Sequence, residues 1–94
     1  ALIERSELEQ SIRVGLENDQ FVPFFEPQVD LRTGTITGFE VLARWQHPTR
    51  GIIRPDLFIP MMEEMGLIGL MSQKVIGSAL RAARDWRPDL SISV

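Results

Sequence analysis

The chain has 94 residues, with 13 acidic and 10 basic side chains, a net charge of −3, 44% hydrophobic residues and no cysteine. This length excludes a complete α/β barrel, which takes about 250 residues, and the lack of cysteine excludes disulfides and thiolate metal sites. The chain has no dense basic stripe and no apolar run of roughly 20 residues, so we expect no nucleic-acid polymer as a partner and no membrane segment in this chain.

The first predicted element is a short helix. Ser6 and Glu9 have the spacing of a capping box, which predicts that the helix starts at Ser6. Leu8, Ile12 and Leu16 recur at every fourth position, so one apolar stripe follows a helix of about three turns.

An antiparallel hairpin is predicted next. Residues 21–29 are rich in aromatic and β-branched side chains, and Pro23 and Pro27 favour an edge strand because proline donates no ladder hydrogen bond. A three-residue loop at 32–34, with Gly34 free to take left-handed backbone, leads into a second strand at 36–45.

The second half alternates helices with one further strand. After a loop at 47–51, Pro55 and Pro60 each suit a first helical position, which predicts two successive helical segments in 55–65, with a C-cap at Gly66. An amphipathic helix ending before Pro88 is then predicted by the apolar residues Leu67, Met71, Val75, Ala79, Ala82 and Trp86. A third strand begins at Leu90, and this order of elements is the start of an α/β layer architecture.

The second strand carries the strongest chemical signal. Because side chains alternate along a strand, Glu40, Leu42 and Arg44 share one face, and the other face, which is wholly apolar, should pack beneath helices. A carboxylate and a guanidinium suit an anionic substrate held by a hard metal ion. An equally good alternative is that Glu40 and Arg44 belong to a solvated face or pair with each other. Two such groups do not make a hydrolytic site, which needs further oxygen ligands.

Glu26 is a further candidate in the hairpin. If Leu31 pairs with Thr35, the register places Glu26 directly across from Glu40, and a bound cation or a shared proton would relieve the repulsion. A shift of one residue would send Glu26 to the other face.

Several other residues have a simpler structural interpretation. The single histidine, His47, is expected to be a surface loop residue because no second ligand or nucleophile accompanies it. The four methionines, at 61, 62, 65 and 71, are expected in the core, and Arg81, Arg84 and Arg87 are expected on a solvated helix face.

A series of motifs in this order resembles the N-terminal part of EAL domains, the bacterial phosphodiesterases that linearise cyclic di-GMP. The series includes Phe25-Glu26-Pro27, Val29 to Gly34, Gly38 to Trp45, His47-Pro48, Gly51 to Pro55, Phe58-Ile59-Pro60, Glu63 to Ile68 and Trp86. The resemblance implies the N-terminal portion of a modified TIM (β/α)8 barrel with an antiparallel first strand, with residues 1–94 forming a partial domain. It also implies Mg²⁺- or Mn²⁺-assisted hydrolysis of cyclic di-GMP to linear pGpG, in which Glu40 binds metal and Leu42 and Arg44 contact the substrate.

Two substitutions and the chain length depart from the family pattern. Val41 replaces the middle alanine but points to the apolar face, and Glu26 stands where the family usually has a substrate-contacting glutamine. The family's next metal ligand, an asparagine, would directly follow Val94, so we expect residues 1–94 alone to be inactive, as roughly two-fifths of a barrel. The alternatives are a degenerate EAL domain that binds cyclic di-GMP without cleaving it and a structural module that dimerises through open sheet edges. We expect the domain to lie in the cytoplasm. This location is also compatible with a larger, membrane-anchored multidomain protein that contains it.

Overall fold

A computed structural model describes residues 4–86 and 91–93, and of Ile92 only the backbone. The elements in chain order are α1 (Arg5–Glu17), β1 (Phe21–Val29), β2 (Ile36–His47), β3 (Gly51–Ile53), α2 (Pro55–Met65), α3 (Ile68–Ala83) and β4 (Ser91–Ser93). The elements therefore follow the α/β order expected from the sequence.

The four strands form one sheet around β2. β1 pairs antiparallel with β2 along its full length, β3 pairs antiparallel with the end of β2, and β4 pairs parallel with Gly38–Glu40. β1 lies at the edge of the strand order, as Pro23 and Pro27 predict. The antiparallel first strand beside a parallel pair confirms the fold class expected from the sequence.

The apolar face of β2 packs on the helices. Trp45 and Phe58 are fully buried, and Phe21 stacks on Trp45 at 4.9 Å between ring centroids. The core also contains the α1 stripe and most of the methionines, as predicted: Leu8, Ile12, Leu16, Val41, Ile53, Met61, Met62, Met71, Val75 and Ala79. With the helices on one side, the opposite face of the sheet is left for the polar side chains of the strands.

The predicted capping box at the first helix is wrong. Glu4 is the N-cap residue, with extended backbone and no side-chain cap, so Ser6 lies inside the first turn. Arg5 explains the earlier start, because its guanidinium bonds to Glu64 of α2 at 2.9 Å and lies 3.6 Å from Glu9.

The hairpin loop is longer than predicted and Leu31 does not pair with Thr35, although the register from Phe21 to Gln28 is as predicted. The strands pair as predicted from Phe21 to Gln28, and then the register shifts so that Val29 lies opposite Ile36. Asp30 causes the change: its N–H donates to the carbonyl of Thr35, and its carboxylate accepts from the N–H of Arg32. Gly34 has φ +72°, as expected.

Three further boundaries differ from the prediction. The loop predicted at 47–51 ends in a strand, because Gly51–Ile53 pairs with the end of β2. Residues 55–65 form one continuous helix that includes Pro60, and Gly66 caps it with φ +71°. The last helix ends at Ala83, and Trp86 lies beyond it, edge-on to Phe25. Arg87, Pro88 and Leu90 lie outside the described residues.

Candidate functional site

The candidate site is the polar face of the sheet, opposite the helices. Strand alternation places Glu40, Leu42 and Arg44 of β2 on this face, all half-buried, as the sequence predicts. Val41 faces the core and is 6% exposed, so the substitution at this position does not reach the site.

Glu26 and Glu40 lie directly opposite each other in the β1–β2 pair. Side chains at such positions share a face, with Cβ atoms about 4.5–5.5 Å apart, and two like charges there destabilise the pair. None of the ion pairs formed within residues 4–86 and 91–93 involves either carboxylate. The sheet therefore brings two carboxylate side chains to one cross-strand position.

Arg44 does not form an ion pair with Glu40. This excludes the interpretation that the two side chains pair with each other. The Nη1 of Arg44 donates to the carbonyl of the neighbouring Ala43 at 2.8 Å, and within residues 4–86 and 91–93 its other donors make no hydrogen bond or ion pair. Leu42, between Glu40 and Arg44, lies opposite Phe24 of β1. An apolar strip thus separates an acidic pair from a guanidinium.

Two residues that the sequence did not single out join this face. Gln28 of β1 lies opposite Gly38, and its amide Nε2 donates to Oγ of Ser93 on β4 at 3.1 Å. Ser93 is in turn the register partner of Glu40. Strand alternation places Gln28 on the face of Glu26, but a contact across three strands depends on a pairing with β4 that local sequence does not reveal.

His47 has a structural role at the end of β2. Its Nδ1 accepts hydrogen bonds from the backbone N–H groups of Thr49 and Arg50, at 3.2 and 3.1 Å. The ring also packs edge-on against Trp45. Arg81 and Arg84 are exposed, as predicted for a solvated helix face.

The side chains on this face that are able to bind a metal ion offer oxygen atoms, the kind of ligand that Mg²⁺ and Mn²⁺ prefer. Glu40 has the carboxylate that such an ion prefers, and Glu26 and Ser93 offer oxygens on either side. Residues 4–86 and 91–93 contain no group of three or more His, Cys, Asp or Glu side chains able to hold a metal ion. The face therefore fits as one part of a cation site.

The structure is thus a mixed α/β domain whose sheet begins with an antiparallel hairpin and carries a carboxylate and a guanidinium on its uncovered face. The chain belongs to the EAL domain family, because the sequence model of that family matches residues 9–94. It is 46% identical over 67 residues to the cyclic di-GMP phosphodiesterase PdeL of Escherichia coli, covering 71% of this chain and 18% of that protein. An uncharacterized protein of Mycobacterium tuberculosis is 42% identical over 83 residues, covering 88% of this chain and 13% of that protein.

Solved structures agree with this assignment. The PaMucR phosphodiesterase in complex with c-di-GMP superposes with a TM-score of 0.84 at 36% identity, over 92% of this chain and 36% of that one. The chain thus spans well under half the length of the relatives it matches.

Proposed function

We propose that residues 1–94 are the N-terminal part of an EAL domain that hydrolyses cyclic di-GMP to linear pGpG in second-messenger signalling. The observation that carries this proposal is the polar sheet face, where Glu40 and Arg44 are held on one strand by a fully buried anchor, Trp45. The identity to PdeL supports it. The exposed apolar residues Phe24 and Ile52, which strand pairing places on the same face, suit a surface that the rest of a barrel covers.

Each residue on the face has a proposed task. Arg44 binds a phosphate of the dinucleotide, because a guanidinium with free donors matches two phosphate oxygens. Leu42, with Phe24 beside it, offers an apolar surface to a base. Glu26 also contacts the substrate, where its negative charge opposes an anionic ligand.

Glu40 is proposed as a ligand of Mg²⁺ or Mn²⁺. When bound, such an ion polarises the phosphodiester and activates water. β1 and β4 both pair with β2 at Glu40. The backbone of Glu40 is therefore fixed on both sides, which orients its carboxylate.

The test uses the complete domain that carries this sequence, assayed for pGpG with Mn²⁺. Glu40→Gln should lower kcat at least about 100-fold, since it loses a metal ligand. Arg44→Ala should weaken cyclic di-GMP binding by roughly 10- to 100-fold, because it removes charge-assisted hydrogen bonds.

Matched controls are Glu7→Gln and Arg54→Ala, which change the same residue types at exposed positions in α1 and just before α2. Both should behave as the unmodified domain. If Glu40→Gln retained full turnover, the proposed role of this face would be wrong.

A second candidate function is a non-hydrolytic receptor for cyclic di-GMP, favoured by the carboxylate of Glu26 facing Glu40. The two functions separate in one assay. Binding of cyclic di-GMP without formation of pGpG at saturating Mn²⁺ would support the receptor and exclude the hydrolase.

A further inference from the structure

We propose that Gln28 is a positioning residue that fixes the pairing of β4 beside Glu40, acting through Ser93. The side chain of Gln28 starts on β1, crosses β2 and donates from Nε2 to Oγ of Ser93 on β4 at 3.1 Å. It is thus a side-chain link between β1 and β4, two strands that do not pair with each other.

Gly38 makes this crossing possible. It lies between Gln28 on β1 and Ser91 on β4, and it has no side chain to block the amide. A Cβ atom at this position would clash with the hydroxyl and the carbonyl oxygen of Ser91, so β4 packs directly against the backbone of Gly38. The hydroxyl of Ser91 adds a 3.4 Å hydrogen bond to the carbonyl of Thr37.

These contacts specify one register for a strand of only three residues. A slip of two residues would keep the same side chains on the polar face, so alternation alone does not prevent it. It would, however, move Ser91 away from the glycine and Ser93 away from the amide of Gln28. The link therefore determines that Ser93, rather than another β4 residue, lies opposite Glu40.

The consequence for catalysis rests on the proposed function. Ser93 lies opposite Glu40, the proposed metal ligand. Gln28 would therefore position the strand that lies beside this ligand without touching the substrate itself.

Backbone amide exchange of the 94-residue chain, measured by NMR, tests the inference. The variants are Gln28→Leu, which keeps side-chain size but has no donor, and the isosteric pair Ser93→Thr and Ser93→Val, of which only Thr keeps the hydroxyl. Gln28→Leu and Ser93→Val should each speed exchange at Ser91–Ser93 by about two- to tenfold, the range expected for one hydrogen bond. Ser93→Thr should exchange at the same rate as the unmodified chain. The double variant Gln28→Leu/Ser93→Val should exchange no faster than either single variant, because both changes remove the same hydrogen bond.

The control is Gln10→Leu, the same change on the exposed side of α1. Unchanged exchange in Gln28→Leu, or equal effects of Ser93→Thr and Ser93→Val, would overturn the inference. A uniform increase at every protected amide would also overturn it, because that is the result of lost global stability rather than lost positioning.

Turnover by the complete domain separates this inference from the proposed function. Gln28→Leu should lower kcat about tenfold, as for other residues that orient a ligand set, with little change in cyclic di-GMP affinity. If the unmodified domain forms no pGpG but the exchange results hold, the proposed function fails and the role of Gln28 stands. If the domain is active and Gln28→Leu keeps full kcat, the role of Gln28 in catalysis is wrong.

Discussion

Gly15 and Gly69 both lie in helices but differ in what surrounds them. A Cβ atom on Gly15 would lie 2.9 Å from the ring of Phe21 and 3.0 Å from Nε1 of Trp45, whereas one on Gly69 meets nothing within 4 Å. Gly15→Ala should therefore destabilise the chain by about 1–3 kcal/mol, the cost of overpacking. Gly69→Ala should stabilise it by about 0.5–1 kcal/mol, because alanine loses less backbone entropy on folding.

Urea unfolding of the two variants measures this difference directly. Equal midpoints would contradict the close contact of α1 with the aromatic core.

Glu26 gives a residue-scale prediction for binding. Glu26→Gln removes one of two facing carboxylates and adds an amide donor, so the complete domain should bind cyclic di-GMP roughly two- to fivefold more tightly. Calorimetric titration checks this, with Glu63→Gln, an exposed residue of α2, as the control. Weaker binding by Glu26→Gln would show that the carboxylate is itself a favourable contact.

At this scale, strand alternation correctly predicted which side chains of β2 share the polar face. The period of two along β2 was sufficient to separate Glu40, Leu42 and Arg44 from the core face. The same rule did not identify Gln28 and Ser93, because the contact joins residues 65 positions apart.

At the scale of elements, Asp30 organises the hairpin turn. Its carboxylate accepts from the N–H of Arg32 at 2.8 Å, and its carbonyl accepts from the N–H of Gly34 at 2.8 Å. Asp30→Ala should lower stability by about 0.5–2 kcal/mol, the range of a lost side-chain acceptor at a chain turn. Asp30→Asn keeps an acceptor oxygen and should lose less.

Thermal unfolding of these two variants gives the comparison. If the alanine and asparagine variants unfold together, the carboxylate contributes only its charge to the turn.

The helices and long strands were predictable because their apolar periodicity is local. The start of α1 was not, because Arg5 finds its partner Glu64 on α2, 59 residues away. β3 was missed for a related reason: three residues carry too little pattern, and the strand exists through its pairing with the end of β2.

At the scale of the whole molecule, the described part is elongated, with extents of 48 × 24 × 23 Å. Its radius of gyration is 15.3 Å, against about 12 Å for a compact domain of this length. No helix within 4–86 and 91–93 is long and apolar enough to cross a membrane.

The free edge of β1 leads to a prediction about association. Open sheet edges pair with other chains, so we expect the 94-residue chain to form dimers at high concentration. Pro23 and Pro27 limit this tendency, because each removes a backbone donor from the strand. Light scattering over a concentration series measures it, and a constant monomer mass would contradict the prediction.

The central claim is that Glu40 and Arg44 belong to a hydrolytic site that these 94 residues build only in part. The most direct measurement is pGpG formation from cyclic di-GMP with Mn²⁺, comparing the 94-residue chain with the complete domain that contains it. We predict turnover by the complete domain, its loss in Glu40→Gln, and none by the chain alone. Turnover by the chain alone, or a complete domain that forms no pGpG at saturating substrate and metal, would contradict the account.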